Sequence, residues 1–436
     1  VGYLDIDRRI LALAFARMVD SLGNSFLIVV LPLYITSGVV SGGTFGLAPA
    51  LITGIILSAF GFFNSAIQPF AGNLSDRTGK RRIFVIAGLL VLTVSNFVYT
   101  LVGGYGAVLL VRVAQGIGVA LTVPATIALV NELASDTARG ESMGVFNTFR
   151  MLGFGLGPVV AGGVVAGGVV AGGPYLGGAV TGFEAAFYVA TISALLGAVC
   201  VYLLVEDPEV DDEADAGEEF SLAVFNHVRD DKLLDPVFTL GVASLFMAVG
   251  IALLEPLEHH INTTLGQSAT MFGIEFSAFV LAQVVLQAPI GTWSDEYGRK
   301  PFIIAGLLLL VPTTLVQGFV TTPLAMIVAR FLQGVAGAAV FAPAMALAGD
   351  IAKGRSSGTT LSVITMAFGL GTAVGPLSAG YLAGISLPFG TSYAAPFAFG
   401  AVLALLGCLL VYTQVDETVN TDGSSERADA EPAAAD

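Results

Sequence analysis

Asp20, Arg112, Arg150 and Arg330 each fall inside a long apolar run of the sequence. A charge at mid-bilayer costs about 2.5–3.5 kcal/mol even on insertion scales, so each must be paired, hydrated or put to use. Asp20 lies ten residues into the run 10–35, about 15 Å deep at ~1.5 Å per residue. A carboxylate there can take up and lose a proton as access to it alternates between two sides, which is the chemistry of ion coupling. The structural alternative is a helix pair in which Arg17, at i−3, neutralises Asp20 and snorkels to the surface. Asn24, one turn further on the same face, would line the same cavity.

Arg112 and Gln115 share a helix face, and Gly116 and Gly118 allow a neighbouring helix to come close. Arg112 either tunes a nearby acid or serves as a buried cation that holds the first run through Asp20. Arg330 and Gln333 repeat the arrangement without an obvious acidic partner in mid-run. Arg150 has no acid within helical reach, so it is a candidate contact for an anionic substrate, with packing on a polar wall as the alternative. Glu255, Glu258, His259 and His260 crowd the end of another run. Their i, i+3, i+4 spacing makes a metal site conceivable, but a hydrated vestibule is the favoured reading. Glu275 is a second-choice coupling carboxylate.

Elements that position such groups must be membrane helices. The chain has 436 residues, 55% hydrophobic and 12% charged, with a mean hydropathy of +0.84; soluble domains carry about a quarter charged residues. Apolar runs of membrane-crossing length give twelve expected spans: 10–35, 48–70, 83–103, 106–130, 141–172, 181–205, 236–258, 268–290, 301–321, 323–349, 358–383 and 393–415. The fold class is therefore all-α integral membrane. "DRRILALAF" is read as the start of a retained first helix rather than a leader, because Arg17 and Asp20 interrupt its apolar run.

The formal charge of −15 is local rather than global. Segment 206–235 holds twelve acids and two bases, and 416–436 holds seven acids and one base. These are an expected acidic linker and disordered tail; a halophilic source would account for the same pattern. Cys200 and Cys408 lie in apolar runs and read as packing residues. No P-loop, HExxH, GxSxG or Cys/His cluster points to an enzyme, a cofactor or a metal. Of eighteen Lys and Arg, the fourteen outside the spans all fall on one side, which predicts both termini in the cytoplasm of a plasma-membrane protein.

The two halves repeat. "GNLSDRTGKRR" at 72–82 returns as "GTWSDEYGRK" at 291–300, "RVAQG" at Arg112 as "RFLQG" at Arg330, and "GFGLGPVVAG" at Gly153 as "GTAVGPLSAG" at Gly371. Pro124 matches Pro343, Glu132 matches Asp350, and "VYLLVED" at 201–207 matches "VYTQVDE" at 411–417. Two pseudo-symmetric six-helix bundles, 1–205 and 236–415, joined by the 206–235 linker and followed by the 416–436 tail, form a parallel repeat. The triple VVAGG at 159–173 does not keep one helical face and reads as a low-complexity extension of the fifth span.

Gly72, Leu74, Asp76, Arg77, Gly79, Lys80 and Arg81 match the GxLxDRxGRK loop of the major facilitator superfamily, between the spans where that family has it. RxxQG with Gly118 resembles its second motif, and GxxxGP resembles the motif of its antiporters. The resemblance covers the chain to about residue 415 and implies the major facilitator fold. It implies that Arg112 assists proton movement at Asp20, and that Gly153, Gly157, Pro158 and Gly162, with Gly371, Gly375, Pro376 and Gly380, seal the outer side. It also places Asp76 at the N-terminus of the eleventh span and the neighbouring bases on Glu132, as a cytoplasmic latch. Gly291, Asp295, Gly298, Arg299 and Lys300 beside Asp350 would be a weaker counterpart, since Trp293 and Glu296 depart from the pattern.

The expected function is alternating-access antiport of protons against small organic compounds or drugs. Asn24, Gln115, Arg150, Arg330 and Gln333 would line the substrate cavity. The motif in both halves weakens the antiporter assignment, and a proton- or sodium-coupled importer of a sugar, organic acid or other nutrient is the alternative. A transporter-like sensor would need a signalling domain, which the sequence lacks. The expected partners are the bilayer, a small-molecule substrate and a proton, with no nucleic acid and a monomeric chain.

Overall fold

The computed structural model describes residues 7–44, 46–134, 139–165, 180–207, 224–225, 232–351, 357–388 and 390–418. Most of the acidic linker and tail, and the end of the VVAGG run, lie outside them. Among the described residues there are thirteen α-helices: α1 Arg8–Thr36, α2 Pro49–Thr78, α3 Arg81–Val98, α4 Tyr105–Leu133, α5 Arg139–Val165 and α6 Gly182–Leu204 form one set, and α7 Pro236–Ala252, α8 Glu258–Leu265, α9 Ala269–Tyr297, α10 Arg299–Leu315, α11 Pro323–Ile351, α12 Ser357–Leu382 and α13 Ala394–Gln414 the other. They make twelve spans long and apolar enough to cross a membrane, α7 and α8 together forming one, Pro236–Leu265.

The packing repeats as the sequence does. In the first half α1 lies on α5 and α6, α4 on α2 and α3, and α3 on α6; in the second α7 lies on α12 and α13, α11 on α9 and α10, and α10 on α13. The halves meet along α2–α12 and α5–α9. Helix ends follow local chemistry. Asp235 caps α7, accepting from the N–H groups of Val237 and Phe238 at 2.8 and 3.2 Å, with Pro236 filling a position that needs no donor. Thr181 and Glu184 close a capping box on α6.

Three boundaries differ from the apolar runs. α2 continues to Thr78 and α9 to Tyr297, because a helix does not end where hydrocarbon ends. The charged segment is thus the last turn of a helix followed by a tight connection, and Gly72 is helical, facing Pro124 of α4. Only Gly79 and Gly298 take the turn, at φ +62 and +101, conformations that favour glycine. The seventh span breaks after Ala252. Pro256 has no N–H to continue the ladder, and Glu255–Leu257 tightens into a 3₁₀ turn before α8.

The two faces of the bundle are not alike. One, the hairpin face, carries the α2–α3 and α9–α10 connections and both helical termini. At the other, the far face, the halves are in tight contact. A Cβ on Gly61 would lie 2.7 Å from Ala373 Cβ, and one on Gly162 would lie 2.5 Å from Thr270 Cα. The segment Glu255–Leu265 also reaches across from the second half to α1 and α2.

Candidate functional site

In the first half the polar core is built from α1, α3 and α4. The Arg17 guanidinium pairs with the Asp20 carboxylate, their side chains 12% and 3% exposed. The i−3 pair is therefore formed, and Arg112 is not bonded to Asp20. Asp20, Asn24, Asn96 and Gln115 line a cavity of about 10 Å³ with Val19, Leu27 and Ala190, room for about one water rather than an organic solute.

Gln115 is the junction of the core. Its Oε1 accepts from Arg112 Nη1 and from the Tyr99 hydroxyl, both at 3.0 Å. Its Nε2 donates to Asn96 Oδ1 at 2.6 Å, and Asn96 donates to the Ala190 carbonyl at 3.1 Å. Arg112 lies 4.5 Å from the Phe60 ring centroid, a face that suits a desolvated cation. The second half repeats the unit. Arg330 donates to Gln333 Oε1 at 2.5 Å and to the Ile251 carbonyl at 3.3 Å. Gln333 donates to Thr314 at 3.0 Å, and Arg330 lies over Phe279 at 4.9 Å.

Gln115, Arg330 and Gln333 are therefore buried inside the halves, Gln115 engaged with Arg112 and Gln333 with Arg330. Arg150 differs. It is half-buried, donates to Asn147 Oδ1 at 3.0 Å, and has Arg17 within electrostatic reach. Among the described residues no acid pairs with it.

Glu255 is where sequence reasoning went astray. The break at Pro256 turns it inward, within electrostatic reach of both Arg112 and Arg330, one from each half. Glu258 is fully buried while His259 is exposed, so the two do not share a face and the expected hydrated vestibule is not formed. Glu-Pro inside an apolar span was the available signal. Among the described residues no group of three His, Cys, Asp or Glu is placed to hold a metal ion.

At the hairpin face Arg81 bridges Asp76, at 3.1 Å, and Glu132. Arg299 bridges Asp295, at 2.8 Å, and Asp350. The two triads match, although the second copy was expected to be the weaker. Asp76 is 62% exposed and bonded within its own half, not to α12. The Arg77 and Lys80 side chains make no hydrogen bond or ion pair among the described residues. The matching segment ends also have a shared task. Asp207 accepts from the Arg82 backbone N–H at 2.7 Å, and Glu417 from that of Lys300 at 2.7 Å, so each acid caps a helix of its own half.

The glycine-proline segments divide their contacts in the same way in both halves. Gly153 and Gly157 face Met18, Leu22 and Ser25 of α1, and Gly371 and Gly375 face Leu245, Val249 and Ala252 of α7. The last glycines cross the seam, Gly162 to Thr270 and Gly380 to Ala50 and Leu51, as does Gly155 to Val280. Pro158 and Pro376 also lie at the seam, opposite Gly273 and Gly54.

The family model of the Major Facilitator Superfamily matches residues 13–257 and 240–435. Multidrug resistance protein 2 of Bacillus subtilis is 25% identical over 398 residues, 88% of this chain and 90% of that protein. An uncharacterized MFS-type transporter of Methanocaldococcus jannaschii is 30% identical over 191 residues, 43% of this chain and 47% of that protein. Quinolone resistance protein NorA of Staphylococcus aureus is 25% identical over 204 residues, 47% of each chain. For these last two the match spans about half the relative's length. Among solved structures, an inward-facing bacterial homolog of the human lysosomal transporter Spinster superposes with a TM-score of 0.72 at 15% identity, covering 92% of this chain and 95% of that one. The nucleoside transporter NupG superposes with a TM-score of 0.69 at 13% identity, covering 94% and 100%. Fold, doubled motifs and family match agree: the chain belongs to the Major Facilitator Superfamily and is a multi-pass secondary transporter, not an enzyme.

Proposed function

We propose that the chain works by alternating access as a proton-coupled antiporter that exports small organic compounds. The carrying observation is a line of buried polar groups through the first half. It runs from Asp20 across the one-water cavity to Gln115 and Arg112, and on to Glu255, which both halves' arginines face. A carboxylate at each end of such a line lets a change of protonation be felt where the halves meet. The hairpin face is cytoplasmic in this reading, because the basic residues outside the spans gather there. The packed far face then makes this the inward-facing state, with the latch of Asp76 to α12 undone. Arg150 and Asn24 supply polar contacts to substrate. The family's motif and the efflux proteins among the relatives support export.

The test is ethidium transport into everted membrane vesicles under an imposed proton gradient. Gradient-driven accumulation, lost in Asp20→Asn and in Glu255→Gln at wild-type membrane levels, is the expected result. Accumulation confined to right-side-out vesicles would overturn export. Unchanged rates in both variants would overturn the coupling route.

A further inference from the structure

The transport route above leaves two buried acids unused. Glu258 on α8 and Glu275 on α9 are both 0% exposed, and each is within electrostatic reach of the other. Glu258 Oε2 has no hydrogen-bond partner, and the Glu275 carboxyl, short of good hydrogen-bond geometry at both oxygens, has Gln267 beside it. Glu258 Oε1 accepts from Asn262 at 3.4 Å. A second observation is independent of the acids. Arg330, fully buried, faces Glu275 yet leaves its Nε and Nη2 without a partner.

Charge counting decides what such a group must hold. The far-side interior contains three acids, Glu255, Glu258 and Glu275, against two bases, Arg112 and Arg330. Fully ionised, it would bury one net negative charge in a low-dielectric core, which is far costlier than binding a neutralising ion. Glu255 has both arginines in reach and Glu275 has Arg330. No base stands near Glu258. α9 brings it only Glu275, and the preceding 3₁₀ turn brings Glu255. α1, which packs on α8, has no charged residue from Ser21 to Thr36. His259 is exposed and His260 half-buried on α8 itself. Tyr393, whose hydroxyl is also without a hydrogen-bond partner, faces Glu275 rather than Glu258.

We propose that Glu258 and Glu275 form a second protonation site, distinct from Asp20, which holds one proton in this conformation, on Glu258. Only an O–H bond is made, and the pair retains the single negative charge that Arg330 faces. α9 meets α5 across the far-face seam at Gly162–Thr270, so parting that seam admits water and lets the proton exchange with the far side. The consequence for coupling rests on the transport reading; the occupancy of the site does not.

Infrared difference spectroscopy of the purified full chain in lipid reads the proton directly, through the carbonyl stretch of a protonated carboxyl. At neutral pH the wild-type chain is expected to show one such band with slow deuterium exchange. Glu258→Gln removes the carrier of that band. Glu275→Gln removes the neighbouring charge but leaves Glu258 buried without a base, so this variant should keep the band at a shifted frequency. Glu184→Gln, on the exposed cap of α6, should leave it unchanged. If Glu258→Gln does not fold, Glu275→Gln carries the test alone. Absence of the band in wild type, its persistence in Glu258→Gln, or an unshifted band in Glu275→Gln would overturn the site whatever the ethidium assay shows. Loss of the band with ethidium coupling unaltered would leave the site standing and remove it from coupling.

Discussion

A guanidinium taken out of water keeps its charge, so its five donors must be supplied by the protein. Gln115 and Gln333 each accept from one of these donors, on Arg112 and Arg330, and each amide also reaches the neighbouring helix of its half, at Asn96 and Thr314. Replacing Gln115 with Leu strands Arg112, Tyr99 and Asn96 together, at about 1–3 kcal/mol for each unsatisfied group. The expected result is a clear drop in the thermal unfolding temperature of the purified protein. The double substitution Arg112→Met/Gln115→Leu should cost less than the sum of the single ones, because it removes the stranded charge; strict additivity would show that the amide does not serve the arginine. Much of this site was legible in the sequence. The i+3 spacing of Arg17 and Asp20 and of Arg112 and Gln115 gave correct pairs, because one helix fixes those distances. What the spacing could not give was which pair Asp20 would choose, or that Glu255 would face two arginines from different halves. Those depend on helix packing, which no local pattern encodes.

Helices that end in water rather than at the membrane surface change how the charged motif works. Because α2 runs to Thr78, Asp76 projects from a rigid last turn, and Gly79 sets where Arg81 begins α3. Arg81 then ties α2 and α3 to Glu132 at the end of α4, and the second half repeats the tie through Arg299. Such a three-helix knot moves as a body, which suits a latch that one half offers to the other. In the conformation seen here Asp76 is turned to solvent, and in the proposed cycle its use against α12 belongs to the opposite state. Asp76→Ala should therefore leave membrane level and thermal stability close to wild type, since an exposed ion pair contributes about 0–1 kcal/mol. Ethidium transport should fall by about 5–150-fold, the span of a 1–3 kcal/mol coupling between states. Wild-type rates would remove the latch. The number and order of spans were readable from hydropathy, while the break at Pro256 and the long ends of α2 and α9 were not, since an apolar window reports hydrocarbon length and not helix length.

For the whole molecule, the doubled sequence has produced doubled packing, and the seam between the copies is tightly packed toward the far face. Small residues make that closure possible: Gly54, Gly61 and Gly380 on the α2–α12 side, and Gly162 and Gly273 on the α5–α9 side, leave no room for a side chain. Among the described residues the glycine contacts of this seam carry no ion pair, so separating them costs close packing rather than charge, which fits a contact that breaks in the proposed cycle. The argument has a direct check. In a chain with Cys200 and Cys408 replaced by Ser, cysteines at Gly163, where an added Cβ meets nothing within 4 Å, and at Thr270, which packs on the adjacent Gly162, would flank the seam from opposite helices. Oxidation should lock the far face shut and stop ethidium transport, and a reductant should restore it. Labelling of a cysteine at Arg150 by a water-soluble maleimide should continue in the locked protein from the hairpin face alone. Transport at the unlocked rate after complete cross-linking would show that the α5–α9 seam stays closed throughout the cycle, and would place the moving contact elsewhere.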